Sequence, residues 1–401
     1  MTTPRKFDHL AIQTDVDGSA FYLVINSLRC GTSSGGLRIA EDIDHEEVST
    51  LAREMTLKFS FIGLPRGGAK SGLRIPSGTD ASGKKSILQE VGRRLGAIIR
   101  AGIYYPGMDM NCGPDDLRAF YQGAGIKLGR ITDTSFFTAL SVANALIAVR
   151  AHLGIERPLT VAIEGFGSVG AYLAGRLPAD QFRITTLSTM RGAIRNENGF
   201  ACRQLVELRQ QYGDDLIDHL SDSRWVELAA VLAAEVDILV PAARTFSISA
   251  TNMAGIRARA VVPVANAPCT EDAFRTLHGR GVLCLPGFVT NSGGVFASGL
   301  HDSGVSTAEI ERIGVEFYRP VVAALLQRAG REGVSPVSLA ERIALQRFER
   351  NSGSNEPGGY GEKLLRKLRQ RGVVPRPLEG RRTAARFVDN LRQLFVEVQG
   401  Y

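Results

Sequence analysis

The sequence predicts a protein of the α/β class in two domains, the second built on a doubly wound parallel sheet. Its 401 residues are enough for about two domains of roughly 150 residues each. Strand-like and helix-like stretches alternate along most of the chain, the rhythm of a sheet covered by helices. A glycine-rich motif, GFGSVG, falls between an apolar strand pattern and a helix of small residues.

The first predicted domain comprises residues 1–133. The stretch FYLVINSL alternates and is rich in β-formers, which indicates a strand. HEEVSTLAREMTLKFSF has helical periodicity with acidic residues in its first turn, and KKSILQEVGRRLGAII repeats that pattern. A long apolar helix then begins near Ser135, and its weak amphipathicity predicts that it is buried.

The second predicted domain comprises residues 134–305. Its first strand, residues 159–163, runs into the glycine motif, and the later strand candidates are RITTLS, VDILVPAA, AVVPVANA and VLCLPGF. Helical stretches between most of them predict a Rossmann-like, doubly wound sheet. Residues 306–401 are mostly helical, and we expect this segment to pack back on the first domain.

Composition limits the classes of function. Hydrophobic content of 44% and charged content of 22% are ordinary for a soluble globular protein. We see no apolar run near the ~20 residues that cross a bilayer and no signal-peptide core at the N-terminus, so we expect a cytoplasmic protein. The five cysteines are scattered without a CxxC pair, and the histidines lack metal-ligand spacing, so we expect no metal.

The net charge of +7 is mild for this length, which makes nucleic acid an unlikely partner. Part of the excess is local, in the densely basic residues 362–382. A solvated helix face and loop explains this stretch more simply than an anion-binding or partner surface, although the sequence leaves both interpretations open.

The glycine motif indicates a dinucleotide site. Its physical basis is a tight turn, a close approach of backbone to a pyrophosphate, and a helix N-terminus whose free N–H groups face the anion. A glycine-rich turn without a ligand is the simpler alternative, but the preceding strand and the following helix favour the site. The predicted pyrophosphate-binding residues are Gly165, Phe166, Gly167, Ser168, Val169 and Gly170.

The end of the next strand predicts which dinucleotide is bound. A carboxylate that reads the ribose of NAD is expected ~20 residues beyond the motif, but the sequence there is TTLSTMRGA. Ser188, Thr189 and Arg191 offer hydroxyls and a guanidinium, which suit a 2′-phosphate. We therefore favour NADP over NAD, although Arg191 facing solvent, with use of both cofactors, is the alternative.

Two lysines and an aspartate are candidates for chemistry. Lys58 ends a helical pattern, Lys70 follows a glycine pair, and Asp109 lies in a loop rich in Pro, Gly and Asn. Neighbouring lysines repel, and burial adds to this, so that one of them loses its proton near neutral pH and can act as a general acid and base. On residue types alone, surface lysines and a loop aspartate are the simpler interpretation.

Several segments, in order from about residue 25 to 300, resemble the glutamate/leucine/phenylalanine/valine dehydrogenase superfamily. They include a Gly-Gly-x-Arg segment, a two-lysine signature and an aspartate loop, followed by the motifs of the cofactor domain. The segments are SSGGLRIA, MTLKFSFIGLPRGGAKSG, PGMDMNCGPDD, TALSVANA, VAIEGFGSVG, DILVPAA, ANAPCT and FVTNSGGVFAS.

The resemblance implies a role for each matching residue. Lys58 binds the substrate α-carboxylate, Lys70 is the low-pKa lysine that activates water, and Asp109 carries protons to and from the amino group. Asn291 bridges substrate and nicotinamide. The remaining implied contacts are Gly36 with the substrate and Thr138, Ala242 and Asn266 with the cofactor. The implied reaction is reversible, NAD(P)-linked oxidative deamination of an L-amino acid to a 2-oxo acid and ammonia.

The chain departs from the family at the side-chain pocket. Family members that use glutamate carry a lysine where this chain has Ser34, and Ser298 matches a serine of the glutamate enzymes. A pocket of Ser34, Met55 and Ser298 holds no fixed cation, so burying a second carboxylate there is costly. We therefore expect a small, polar or unusual amino acid rather than glutamate, unless Arg66 faces the pocket and pairs with the glutamate side chain.

Further alternatives stay open at this stage. The fold also suits a non-catalytic, NADP-binding regulatory protein, and an imine-forming relative that uses another amine cannot be separated from the main interpretation. Family members are usually closed oligomers built through the first domain, so the resemblance implies a homo-oligomer.

Overall fold

The structure is a computed structural model that describes residues 10–29, 31–129, 131–352 and 376–400. It divides into two compact units, one of residues 1–131 with 344–373 and one of residues 132–343 with 374–401. Cys30 and residues 362–375 of the basic stretch lie outside the described residues.

The first unit is a five-stranded sheet with helices on both faces. The strand order is β1-β2-β4-β3-β5, in which β1, β2 and β4 pair antiparallel and β4, β3 and β5 pair parallel. Its elements are β1 (Leu10–Val16), β2 (Ser19–Ile25), β3 (Ser33–Ile39), α1 (His45–Phe61), β4 (Gly67–Arg74), α2 (Ala81–Arg100), β5 (Tyr104–Met108) and α3 (Pro114–Gly123).

The two faces of this sheet have different characters. Leu37, Leu73 and Phe120 belong to a continuous apolar core between the sheet and helices α2 and α3. Helix α1 packs on β4, and its start is fixed by Asp44, whose side chain accepts from the backbone N–H of Glu47 at 2.8 Å. This second face carries the candidate chemistry.

The second unit is built on a seven-stranded sheet with the order β12-β11-β10-β6-β7-β8-β9. The strands are β6 (Leu159–Glu164), β7 (Phe182–Thr189), β8 (Gly192–Arg195), β9 (Arg224–Val226), β10 (Ile238–Pro241), β11 (Ala260–Val261) and β12 (Leu283–Cys284). Strands β12, β11, β10, β6 and β7 are parallel, as predicted, whereas β8 and β9 pair antiparallel at the edge, which the sequence analysis did not predict.

Helices cover the second sheet. They are α4 (Thr134–Leu153), α5 (Ser168–Ala174), α6 (Cys202–Tyr212), α7 (Ala229–Leu232), α8 (Glu271–Gly279), α9 (Gly287–Thr290), α10 (Gly293–Asp302), α11 (Thr307–Ile313), α12 (Arg319–Glu332) and the C-terminal helix (Arg376–Gln399). Helix α13 (Pro336–Ser352) begins in this unit, and its residues from 344 onward belong to the first. Short 3₁₀ segments, Gly213–His219 and Met253–Gly255, and a π-helical turn, Gly314–Tyr318, complete the unit.

Helix α4 corrects one expectation of the sequence analysis. By length and composition it is apolar enough to cross a membrane, and it is the one such helix among the described residues, although no run of this kind was recognised in the sequence. Most of it is buried against its own unit, including Leu140, Val142 and Leu146. Burial on all sides explains both its apolar composition and its weak amphipathicity.

The C-terminal part of the chain divides differently from the prediction that residues 306–401 pack back on the first domain. Of the described residues, only 344–352 cluster with the first unit, where Arg347 Nε donates to the carbonyl of Ser60 at 3.2 Å. The rest belongs to the second unit because its apolar side chains find their partners there. The ring of Phe387, in the C-terminal helix, stacks on Phe296 at 4.9 Å between centroids.

Candidate active site

The first part of the site is a row of side chains on the α1 face of the first sheet. Side chains alternate along a strand, so Ser34, Gly36 and Arg38 of β3 point to one face. Gly36 pairs in register with Gly107 of β5, so Arg38 stands opposite Asp109, just beyond the end of β5. Lys70 of β4 joins them, and parallel pairing of the three strands thereby brings Arg38, Lys70 and Asp109 together.

Glycines make this row possible. A methyl group at Gly36 would lie 2.7 Å from Cβ of Asp109, so only glycine leaves room for the aspartate. A methyl group at Gly68 would lie 2.1 Å from the backbone nitrogen of Thr56, so glycine there lets helix α1 approach strand β4. The glycine pair before Lys70 thus brings the end of α1, with Lys58, close to the sheet.

Three charged groups meet on one oxygen. Lys70 Nζ lies 2.7 Å from Asp109 Oδ2, and Arg38 Nε donates to the same oxygen at 2.8 Å. The other end of the Arg38 guanidinium donates through Nη1 to Glu47 Oε1 at 2.6 Å. Exposed fractions are 2% for the Lys70 side chain and 4% for that of Arg38, so the two cations are shielded from water, whereas Asp109 keeps 18% of its side chain exposed.

The cluster shifts the pKa of each member. Burial would raise the pKa of the Asp109 carboxyl, but the charges and hydrogen bonds of Arg38 and Lys70 outweigh it and hold the pKa well below its usual range. Burial lowers the pKa of Lys70; Asp109 opposes that shift and Arg38 adds to it, so the pKa stays lowered. Lys70 is therefore the cation of the cluster that loses its proton more easily than usual, beside a carboxylate that is ionised in the resting enzyme.

Lys58 is a second buried cation, in the last turn of α1. Burial lowers its pKa to about 8; Glu54 opposes that shift, and the positive charge of Lys70 adds to it. Met55 lies three residues earlier on the same side of the helix and is also buried. A protonated Lys58 at the end of an apolar surface is suited to hold a carboxylate.

Ser34 and Arg66 meet at Tyr105. The Ser34 hydroxyl donates to the carbonyl of Tyr105 at 2.8 Å. The Arg66 guanidinium lies over the Tyr105 ring, 5.1 Å from its centroid, and its side chain is exposed. Arg66 therefore lies beside Tyr105, the residue of β5 that pairs with Ser34 of β3.

The second unit has a candidate site of its own, the glycine turn between β6 and α5. Gly165 has a φ of +86°, and a methyl group there would lie 2.7 Å from Ala243 Cα, so the turn requires glycine. At Gly167 nothing lies within 4 Å of where a Cβ would stand, which leaves the backbone open to a ligand. The Phe166 side chain is fully buried, so its predicted contact with the cofactor is limited to backbone atoms.

Residues near the end of β7 are engaged with their own unit. The Ser188 hydroxyl is buried and accepts from the backbone N–H of Gly165 at 3.0 Å, so it supports the turn from within. The Thr189 hydroxyl donates to the carbonyl of Asp214 at 2.9 Å. Arg191 is exposed and lies 3.0 Å from an Asp215 oxygen, with Asp218 also near, so the guanidinium already has carboxylate partners.

Asn291 is the best defined polar residue of the second unit's site. Its Nδ2 donates to the carbonyl of Val264 at 2.9 Å and to Oδ1 of Asn266 at 3.0 Å. Its Oδ1 is buried and accepts no hydrogen bond within the part of the chain that the structure describes. Tyr318, in the π-helical turn, donates its hydroxyl to the carbonyl of Val289 and so holds the segment that carries Asn291.

Three other predicted residues of this unit are Thr138, Ala242 and Ser298. A methyl group at Gly294 would meet Thr138 Oγ1 at 2.5 Å, which places Thr138 beside the start of α10. Ala242 follows β10, and its N–H donates to the carbonyl of Glu164 at 2.7 Å. The Ser298 hydroxyl donates back to its own helix, to Gly294 at 2.7 Å.

These residues fit a bound NAD or NADP. The open backbone at Gly167, where no side chain caps helix α5, suits a pyrophosphate. The free buried oxygen of Asn291 suits a hydrogen-bond donor such as a carboxamide. Ser34 and Met55 lie in the first unit and Ser298 in the second, so the shared pocket predicted for them stays a prediction.

Comparison with known proteins decides the family. The family profile described as "Glutamate/Leucine/Phenylalanine/Valine dehydrogenase" matches residues 125–350, and that of the family's dimerisation domain matches residues 11–124. The chain belongs to the glutamate/leucine/phenylalanine/valine dehydrogenase family. As a member of this family it is an amino acid dehydrogenase, an oxidoreductase.

Curated relatives in the family are glutamate dehydrogenases. The chain is 31% identical over 299 residues to the glutamate dehydrogenase of Thermotoga maritima, covering 69% of this chain and 70% of the relative. It is 31% identical over 295 residues to the NAD-specific enzyme of Staphylococcus aureus, covering 67% and 68%. It is 28% identical over 325 residues to the NADP(+)-dependent enzyme of Pyrobaculum calidifontis, covering 74% and 77%.

Solved structures confirm the fold of the family. A glutamate dehydrogenase matches with a TM-score of 0.72 at 22% identity, covering 87% of each chain. The L-tryptophan dehydrogenase of Nostoc punctiforme matches with a TM-score of 0.58 at 20% identity, covering 86% of this chain and 96% of that one. The predicted two-domain α/β fold is thereby confirmed.

The sequence analysis missed two members of the dehydrogenase's charged cluster. Arg38 was noted only as part of the Gly-Gly-x-Arg segment, and Glu47 only as an acidic residue in a first helical turn. The period of two along β3 could have placed Arg38 on the face of Gly36. Its contact with Asp109 needs the pairing of β3 with β5, which no local pattern reveals.

Proposed function

We propose that this dehydrogenase catalyses the reversible oxidative deamination of an L-amino acid other than glutamate, with NADP preferred over NAD. The observation that carries the proposal is the largely buried cluster of Lys70, Asp109 and Arg38, in which one lysine has a lowered pKa beside a carboxylate that is ionised until it takes up a substrate proton. A structural ion pair does not need a buried lysine so easily deprotonated, whereas general acid–base catalysis does.

The proposed steps use the chain's residues as follows. Lys58 pairs with the substrate α-carboxylate, which orients the Cα–H bond. NAD(P), when bound, accepts the hydride that leaves Cα. Asp109 takes the proton that the amino nitrogen releases as the imine forms. Neutral Lys70 then removes a proton from the water that adds to the imine carbon, while Asp109 returns its proton to the nitrogen. The Lys70 ammonium protonates the nitrogen as the C–N bond breaks, the hydroxyl proton passes to Asp109 as the carbonyl forms, and ammonia and the 2-oxo acid leave.

The substrate preference rests on Ser34. Family members that use glutamate carry a lysine at this place, whereas the Ser34 hydroxyl donates to the Tyr105 carbonyl and carries no charge. Met55, on the helix turn that ends at Lys58, is apolar and buried. A second substrate carboxylate placed against these two residues would lose its hydration without gaining a cation, which is costly.

Glutamate is the second candidate because Arg66 lies beside Tyr105, the strand partner of Ser34. Its guanidinium stacks on Tyr105, the residue whose carbonyl the Ser34 hydroxyl contacts. The three curated relatives described above are also glutamate dehydrogenases by name. A change of the Arg66 rotamer toward Ser34 would supply the missing cation.

The preference for NADP rests on the end of β7, which carries Thr189 and is followed by Arg191, with no carboxylate among residues 185–193. An arginine there can pair with a 2′-phosphate.

We further propose that the enzyme is a homo-oligomer built through its first unit, since that unit matches the family's dimerisation domain. The cytoplasmic location and the absence of metal stay predictions.

A substrate screen tests the proposal directly. Each L-amino acid is assayed with NAD and with NADP at alkaline pH, and each 2-oxo acid with ammonia in the reverse direction. We expect turnover of a small, polar or unusual amino acid and little turnover of glutamate. Efficient glutamate turnover that Arg66→Met abolishes would establish the alternative substrate. Light scattering of the purified protein tests the oligomer.

Two variants make the screen decisive. Lys70→Met and Asp109→Asn remove the proposed proton carriers, and we expect either to lower kcat by a factor on the order of 10³ or more while the affinity for NADP is unchanged. Near-normal activity in either variant would refute the role of that residue.

Ser34→Lys introduces the cation that glutamate-using members carry and is expected to raise glutamate turnover relative to the native substrate.

A further inference from the structure

The side chain of Arg38 spans the space between Asp109 and helix α1. Its Nε donates to Asp109 Oδ2 at 2.8 Å and its Nη1 to Glu47 Oε1 at 2.6 Å. The guanidinium is planar and rigid, so two contacts at its two ends fix its orientation. Glu47 is fixed in turn, since its backbone N–H is held by the Asp44 cap at the start of α1.

Both cations at Asp109 use the same carboxylate oxygen. Arg38 and Lys70 contact Oδ2, at 2.8 and 2.7 Å, and Oδ1 takes neither contact. The carboxylate is thereby oriented with one oxygen anchored and the other directed away from the anchor. Gly36 lies next to Asp109 on the sheet, and its lack of a side chain leaves room for the carboxylate in this position.

We propose that Arg38, held by Glu47, is a positioning residue that anchors one oxygen of Asp109 and keeps this carboxylate charged when Lys70 gives up its proton. The inference rests on the proposed function, in which Asp109 and Lys70 carry protons. With Lys70 as the only cation at Oδ2, loss of its proton would leave a buried and unpaired carboxylate, which is strongly disfavoured. A permanent cation at Arg38 removes that penalty, so the two proton carriers can act independently.

The pKa shifts agree with this geometry. Burial opposes a charge on Arg38, but Asp109 and Glu47 outweigh it and raise its pKa above the ordinary value, so it stays protonated throughout the working pH range. Arg38 also lowers the pKa of Lys70, whereas Glu47 raises it. Arg38 and Glu47 thus shift the pKa of Lys70 in opposite directions. Removing one or the other should therefore also shift this pKa in opposite directions.

Other ionisable groups also face the pair. Lys58 and Glu54 come from α1, Cys112 from the loop after β5, and Tyr104 from β5. Burial raises the pKa of Cys112 to about 12, and it also raises that of Tyr104, so both stay neutral at working pH. Lys58 titrates at about pH 8 and must be accounted for, since its charge lowers the pKa of any neighbouring lysine.

The test compares pH profiles of kcat/KM for amino acid oxidation, in which the acid limb reports deprotonation of the base. Arg38→Met removes a positive neighbour of Lys70, so the limb moves to higher pH by about one to three pH units. Because Asp109 also loses its anchor, kcat falls by a factor on the order of 10², with KM for the cofactor unchanged. Glu47→Gln removes a negative neighbour, and the limb moves by a smaller amount to lower pH.

Matched variants separate positioning from folding. Arg74→Met is the control, because Arg74 lies on the same sheet and its guanidinium donates to the Ile43 carbonyl at 3.0 and 2.7 Å, away from the cluster. It is expected to leave the pH profile unchanged. Arg38→Lys retains the charge without the fixed fork, so it should restore the position of the acid limb while kcat stays reduced.

The outcomes distinguish this inference from the proposed function. If Asp109→Asn retains activity, the proposed role of Asp109 is wrong and Arg38 has nothing to position. If Asp109→Asn is inactive but the acid limbs of Arg38→Met and Glu47→Gln do not move in opposite directions, the positioning role is refuted while the proposed function stands. If Arg38→Met does not fold, Arg38→Lys and Glu47→Gln still carry the test.

Discussion

The two units differ most in the charges that they bury. Among the described residues, the buried charged side chains of the first unit are all cations, namely Arg29, Arg38, Lys58, Lys70 and Arg347. The second unit buries one charged side chain within its described part, Asp237, and it lies at the start of β10, at the opposite end of that strand from Ala242. The glycine turn that fits a dinucleotide is formed by backbone and by the neutral hydroxyl of Ser188.

This difference agrees with the roles proposed for the two units. A buried lysine is costly to keep charged, and that cost is what brings its proton loss into the working pH range. A dinucleotide brings its own charges and redox chemistry, so its site needs open backbone N–H groups and shape more than buried charge. We therefore expect the pH dependence of the reaction to arise in the first unit and the choice of cofactor on the surface of the second.

Apart from removal of the proposed proton carriers themselves, the largest effect is expected from the backbone that positions the charges. In Gly36→Ala the new methyl group would lie 2.7 Å from Cβ of Asp109 and 2.8 Å from the carbonyl of Met108, so the aspartate must move. A displacement near 1 Å is expected to lower kcat by a factor on the order of 10². Steady-state kinetics measure this, with circular dichroism to verify the fold.

Gly107→Ala is the matched control. Gly107 is the register partner of Gly36, and a methyl group there meets nothing within 4 Å. We expect it to leave kcat within a factor of about two of the parent enzyme, since a surface substitution without a contact changes little. Equal losses in both variants would mean that the sheet as a whole, and not the position of Asp109, limits the reaction.

The contrast between the units also marks what sequence reasoning could reach. Helix α1 could be predicted in full because its periodicity, its acidic first turn and its basic last turn are all local signals. The strand, turn and helix around Gly165 were predicted for the same reason. The family's motifs then implied the roles of Lys58, Lys70 and Asp109, which remain proposals.

What could not be predicted depends on contacts between distant segments. The Arg38 contact with Asp109 joins residues 71 positions apart. The antiparallel edge formed by β8 and β9 depends on a tight connection between Thr189 and Gly192, where the sequence favoured only the end of a parallel strand. The C-terminal helix packs on α12 and α10 of the second unit, in part through the stacking of Phe387 on Phe296, and its own sequence does not reveal these partners.

Lys58 provides the next prediction, because its pKa is lowered to about 8, chiefly by burial. The side chain is charged below that pH and neutral above it, so affinity for a carboxylate is present at lower pH and is lost as pH rises past 8. The dissociation constant of a non-reactive carboxylate analogue should rise about tenfold per pH unit above this value. Titration calorimetry between pH 7 and 10 measures it.

Lys58→Arg supplies the comparison, since arginine keeps its charge over this range. Its affinity for the analogue, even if lower overall, should be independent of pH between 7 and 10. A variant that shows the same loss with pH as the parent enzyme would assign the titration to another group, with Lys70 the nearest candidate.

A smaller effect is expected at the surface of the second unit. Arg191 is exposed and pairs with Asp215 and Asp218. Arg191→Ala should lower the ratio of kcat/KM for NADP to that for NAD by about fivefold, because an exposed charge contact contributes little. The double variant Asp215→Asn, Asp218→Asn frees the guanidinium and should raise the same ratio by about twofold. Arg195→Ala, which removes a pair with Glu197 nearby, is the control.

The smallest effect on catalysis is expected at Asp237, where the second unit's buried charge serves the fold. Its Oδ2 accepts from Arg157 Nη1 at 2.6 Å and from the backbone N–H of Thr160 at 2.9 Å. Asp237→Asn should lower the free energy of unfolding by about 2 kcal/mol at pH 7, because these are hydrogen bonds to a charged group. Chemical denaturation measures this, and kcat should be unchanged.

The pH dependence of that stability has a definite sign. Burial would raise the pKa of Asp237, but Arg157 and Thr160 outweigh it, so the pKa in the folded state is below that in the unfolded chain. The contribution of the Asp237 charge to the free energy of unfolding is therefore complete above the pKa of about 3.9 in the unfolded chain. It is lost as pH falls through the pKa in the folded state. The parent and Asp237→Asn proteins should converge in stability as the solution is acidified below pH 4.

Glu235→Gln, which removes only an exposed pair with Arg257, should follow the parent at every pH. A gap between parent and Asp237→Asn that stays constant down to acid pH would show that packing, and not the charge, makes Asp237 important.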